Sequence, residues 1–166
     1  MGKILIPITI LLIIILSLLI IRAFSEKQLD DVSPTVTCSP ELLEKADVLY
    51  IIPSYKNQNI SSNQEWCRSI LLLNKKLALH GVYHTYKEFS TDRSKEYLEK
   101  GIKEFENCFN LKPEEFKSPQ LATSITNKKL IKNNNLKLNG IANQIFHKVY
   151  HCDNSGTFPN WLMNWI

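Results

Sequence analysis

Two adjacent carboxylates, Asp30 and Asp31, stand in the run Leu29-Asp30-Asp31-Val32-Ser33-Pro34, and two of the chain's four histidines, His80 and His84, share the window His80-Gly81-Val82-Tyr83-His84. A further histidine, His151, follows the apolar pair Val149-Tyr150. Two imidazoles and one aspartate form a ligand set that holds a divalent ion and leaves positions open for water and substrate. A second carboxylate beside that set is placed to take a proton from water. Residues four apart face the same way on a helical turn, so a helical His80 and His84 would share one ion. Adjacent aspartates are more often a solvated turn, and paired histidines are more often surface groups. The elements that carry these residues therefore decide between the readings.

Residues 47–52 are a compact apolar run closed by Pro53, which suits a buried strand. Residues 76–80 form a second run, broken by Gly81, so His80 lies at a strand's carboxyl end. Phe116-Lys117 reads as a short strand, and residues 136–142 and 145–150 read as the last two. Helices are expected after Ser39-Pro40, after Ser62 through Trp66, Ile70 and Leu73, after Asp92, and after Ser124. The third of these is the clearest, with Tyr97, Leu98, Ile102, Phe105 and Phe109 on one face. Residues 55–63 read as a polar loop, and residues 24–29 as too polar for a buried strand. Strands alternating with helices give an α/β class of parallel units, where groups at the carboxyl ends of strands converge on one face. On a strand, His147 and His151 share a face, so parity does not separate them. His151 is preferred because it lies at the carboxyl end.

The 166 residues divide in two. Residues 4–21 carry no charge, are flanked by Lys3 and Arg22, and would extend about 27 Å as a helix, close to the thickness of a bilayer core. Residues 1–25 are accordingly expected to be a membrane anchor, with an uncleaved signal segment as the related alternative. Residues 26–166 are expected to form one domain, lying outside the cytosol. The sequon Asn59-Ile60-Ser61 is compatible with that side. The chain has 20 Lys and Arg against 16 Asp and Glu, without a basic patch interleaved with aromatics, so nucleic acid is not an expected partner. Four cysteines, none in a CxxC pair, exclude a zinc ribbon and allow two disulfides in any of three pairings, or packed thiols. Residues 161–166 are apolar and read as a segment closing the core, with stacking of Trp161 on a substrate or contact with the membrane interface as alternatives.

Leu29-Asp30-Asp31-Val32-Ser33-Pro34, then Leu77-Ala78-Leu79-His80-Gly81-Val82-Tyr83-His84, then Phe116-Lys117-Ser118-Pro119 resemble, in this order, the motifs of the polysaccharide deacetylase superfamily. The likeness is greatest to its membrane-associated and archaeal-type branch, and it covers residues 29–153. It implies a partial or distorted (β/α) barrel behind one transmembrane helix. It further implies Asp30 as catalytic base, Asp31, His80 and His84 as metal ligands with zinc the first choice, Lys117 as the cation orienting the base, and His151 as general acid. Gly81 stands where the commoner family form has Ser or Thr, and Lys117 where Arg is usual. The implied activity is hydrolysis of acetyl groups on a glycan or amino sugar. The rival expectation is a catalytically silent, membrane-anchored glycan-binding or scaffold domain with the same fold.

Overall fold

Short apolar runs long enough for strands, separated by capped amphipathic helices, assemble into one parallel sheet. The computed structural model describes residues 2–165, with side chains from Pro7 onward. Residues 4–6 of the expected span, as regards their side chains, and the terminal Ile166 lie outside the described residues. In chain order the elements are α1 (Gly2–Phe24), β1 (Lys27–Val32), α2 (Pro40–Lys45), β2 (Val48–Ile51), a small hairpin of β3 (Ser54–Tyr55) and β4 (Gln58–Asn59), and α3 (Gln64–Leu72). There follow β5 (Lys76–His80), α4 (Lys95–Phe109), β6 (Glu115–Lys117), α5 (Ile125–Asn133), β7 (Lys137–Asn139), α6 (Ile141–Phe146), β8 (Lys148–His151) and α7 (Asn160–Met163).

Six strands pair in the order β7-β6-β5-β2-β1-β8, all parallel, in a sheet curled into a half-barrel. Leu29, Leu49, Leu79 and Phe116 of four neighbouring strands pack with Ile70 of α3 and Phe105 and Phe109 of α4 in one apolar cluster. Each fully buried side chain of this size contributes about 1.5–3 kcal/mol. Ser39, Asn63, Ser94 and Ser124 cap α2, α3, α4 and α5 through their side chains, each accepting from the backbone N–H three residues on. Asn110, left-handed at φ 53°, ends α4.

Three expectations need correction. Residues 27–32 are a strand, and its last five residues are buried. Their polarity is accommodated because Gln28 and Asp30 are met by Lys117 from β6. Residues 141–146 are a helix and not part of two strands; α6 touches both edge strands, β7 and β8, so it spans the open side of the half-barrel. Residues 55–59, expected as loop, make a hairpin turning on Lys56 and Asn57 at positive φ. His80 ends β5, as expected from Gly81, and His84 lies in the turn after it, so the two meet without sharing a helix.

Of the cysteine alternatives, the structure has both bridges, Cys38–Cys152 and Cys67–Cys108. The first ties the segment after β1 to the segment after β8. In α1, Pro7–Phe24 has a mean hydropathy of 2.6 and no burial against the rest of the chain, so it is long and apolar enough to cross a membrane. The Arg22 guanidinium, at its carboxyl end, donates to the carbonyls of Gln144 and Ile145 in α6.

Candidate metal centre

Neighbouring residues of a regular strand point to opposite faces, so Asp30 and Asp31 could not serve one site from an ideal β1. The pairing of β1 with β2 slips between Leu29 and Val32, and Asp31 takes φ 64°, in the left-handed region that aspartate tolerates better than most residues. This irregularity brings both carboxylates to one cavity of about 430 Å³ at the carboxyl ends of the strands, shared with His80, His84, Lys117 and His151.

Asp31 Oδ1 lies 2.8 Å from His84 Nε2 and 3.3 Å from His80 Nε2, and the two ring nitrogens are 3.2 Å apart. Three potential ligand atoms from β1, β5 and the following turn thus surround one point. His80 is nearly fully buried, and its Nδ1 lies 3.1 Å from the Lys117 carbonyl. Donation there would fix the proton on Nδ1 and leave the Nε2 lone pair directed at the cluster. Asp31 Oδ2 accepts from Ser155 Oγ at 2.6 Å, whereas the buried Oδ1 has no well-directed hydrogen-bond donor despite its short distances to both rings. A buried acceptor in that state costs free energy unless a cation completes it. The donor set and the orphaned oxygen therefore fit a divalent ion held by Asp31, His80 and His84.

Asp30 sits behind this cluster, its Oδ1 2.7 Å from Lys117 Nζ and its Oδ2 4.0 Å from His80 Nε2. Lys117 is fully buried. Its ammonium also donates to Gln28 Oε1 at 2.8 Å and lies 3.8 Å from the centre of the Tyr50 ring. His151 pairs in register with Asp30 across β8 and β1, and its Nε2 is 3.8 Å from Asp30 Oδ2. His147, the alternative acid, precedes β8 at the opposite end and sits by the Glu26 carbonyl, away from the cavity. Gln28, Tyr50 and Ser155 were not anticipated from sequence. Strand parity with Asp30 could have pointed to Gln28; nothing local points to Tyr50 or Ser155.

Burial alone would raise the Asp31 carboxyl, but the imidazoles of His80 and His84, within 3.3 Å of Oδ1, outweigh it and hold the group well below the usual carboxylate range. Burial opposes charge on His80, yet Asp30 and Asp31 together raise its pKa. Burial lowers Lys117 and His151, against the attraction of Asp30 in each case.

Comparison of the sequence with family models and with curated proteins finds no match. Comparison of the fold does. A CE4 family pseudoenzyme from Bacillus anthracis superposes with a TM-score of 0.51 at 16% identity, over 69% of this chain and 43% of that one. A family 4 carbohydrate esterase from Streptomyces lividans, solved with acetate, gives 0.51 at 13% identity, over 68% and 60%. The chain thus spans between two fifths and three fifths of the length of these structures. At such identities the likeness is one of fold, and this chain shares the fold of these family 4 carbohydrate esterase structures.

Proposed function

We propose that this chain is a membrane-tethered, metal-dependent hydrolase that removes acetyl groups from a glycan or amino sugar. The observation that carries the reading is the convergence of Asp31, His80 and His84 around one point, with Asp30 alongside and Lys117 behind. A divalent ion held by those three residues, zinc being the first choice, would polarise the carbonyl and make water more acidic. Asp30 would take a proton from the attacking water, and the ammonium of Lys117 would keep that carboxylate oriented. The water oxygen bonds to the acetyl carbon, and the bond from that carbon to nitrogen breaks. His151, on the cavity wall 3.8 Å from Asp30, would give the departing amine its proton. The products are acetate and a free amine. For an O-acetyl group the same steps release an alcohol.

The full chain in detergent, supplied with a divalent ion, is expected to release acetate from an N-acetylated oligosaccharide. A chelator should stop the release, and readdition of the ion should restore it. The pseudoenzyme among the structural neighbours favours a second reading, a glycan-binding domain without turnover. A chain that binds the ion and the oligosaccharide but frees no acetate would establish that second reading instead.

The tether is residues 4–21, within α1, and residues 26–166 form the domain. Support comes from the exposed apolar face of Pro7–Phe24 and from the two-residue gap between α1 and β1. The exposed side chain of Asn59 is compatible with an extracytoplasmic domain. Full-length protein is expected to stay in the membrane pellet after a carbonate wash at high pH. Recovery in the supernatant would rule out an integral anchor.

A further inference from the structure

Glu88 is wholly buried, and no basic side chain forms an ion pair with it among the described residues. Its carboxylate instead accepts from three successive backbone N–H groups, those of Val82 at 3.2 and 3.1 Å, Tyr83 at 2.9 Å and His84 at 3.1 Å. The Tyr97 hydroxyl, from α4, donates to it at 2.6 Å. Consecutive amides turned toward one anion form a nest, and an anion inside it holds the loop in that conformation. The backbone of Glu88 is itself fixed, since its carbonyl accepts from Arg93 Nε at 2.7 Å.

The turn needs such a device. It must bring His84 back to within 3.2 Å of His80 by way of φ 66° at Gly81 and φ 55° at His84. A left-handed histidine is unfavourable without outside support. The arrangement also accounts for Gly81. Its φ favours glycine, and a β-carbon there would overlap Glu88 Oε2 and crowd Pro119. Position 81 is therefore bare because the carboxylate of Glu88 fills the space a side chain would use.

We infer that Glu88 is the positioning residue of the ligand turn: its buried carboxylate, gripped by the N–H groups of Val82, Tyr83 and His84, sets the place of the His84 imidazole. The inference rests on the reading of Asp31, His80 and His84 as metal ligands. Glu88 touches neither metal nor substrate, and it acts through His84. Glutamine in its place keeps the size but loses the charge and turns an amide NH₂ toward N–H donors.

The test measures Co²⁺ affinity of the full chain in detergent and, without metal, amide exchange at residues 82–84. Glu88→Gln is expected to lower the affinity about 10–100-fold, the usual cost of losing a partner behind a ligand. It should also speed exchange at Val82, Tyr83 and His84 and leave Ala78 and Leu79 of β5 as they were. Unchanged affinity overturns the inference, as does acceleration that is equal at Ala78 and Leu79, because that marks a loss of general stability. If the wild-type chain itself takes up no Co²⁺, the ligand reading fails separately. The exchange pattern then decides whether Glu88 orders the turn, with wild-type rates at residues 82–84 overturning it. If Glu88→Gln does not fold, Tyr97→Phe keeps the carboxylate and removes one donor. It is expected to shift both readouts in the same direction by a smaller factor, and no shift in either overturns the inference.

Discussion

Asp30→Asn is expected to keep the metal and to lose turnover by about 10²–10⁴-fold, the range typical for removing a general base. The amide matches the carboxylate in size and can still accept from Lys117, but it cannot take a proton from water. Retained metal follows from the geometry, because Asp31 Oδ1, and not Asp30, is the carboxylate oxygen within 3.3 Å of both imidazoles. Metal analysis beside acetate release checks both halves. Loss of the metal in this variant would exchange the roles of the two aspartates.

The same substitution removes the counter-charge of a fully buried ammonium, and breaking one partner of a buried pair costs about 3–5 kcal/mol. Lys117 is already held below its ordinary 10.5 by burial, and without Asp30 it should fall further. Its folded pKa then lies below its unfolded one, so the unfolded chain binds the proton more strongly. The stability deficit of the variant should accordingly shrink as pH rises toward 10.5. The turnover comparison is best made where both proteins remain folded.

The parallel α/β class was legible because β2 and β5 are apolar runs and α4 has a long apolar face. The first strand was hidden because its inward residues are polar. Gln28 and Asp30 are satisfied by a lysine 89 and 87 residues away, which no local window can reveal. Residues 141–146 misled for the opposite reason: Ile141 and Ile145 suggest a buried strand, yet they lie exposed on a short helix across the open edge. The spacing of His80 and His84 did pick out residues that meet in space. The reason they meet is a strand end and a strained turn, not a helical repeat. Glu88 went unnoticed in Tyr86-Lys87-Glu88, where a charged residue reads as solvated. Its burial depends on the nest that Gly81 leaves room for. Cysteine pairing likewise needed the fold, since Cys38 and Cys152 are separated by 114 positions.

Metal content of the full-length chain and of His80→Ala, dialysed together against a trace of Zn²⁺, bears most directly on the proposed centre. His80 supplies one of three converging atoms and is fixed by the Lys117 carbonyl, so its loss leaves only Asp31 and His84. Removing a ligand should cost more than the about 10–100-fold typical of losing a partner behind one. The effect is therefore expected to appear as near-complete loss of the ion, with the secondary structure retained. The account predicts close to one ion per wild-type chain and almost none in His80→Ala. Equal metal in both proteins, or none in either, would contradict it.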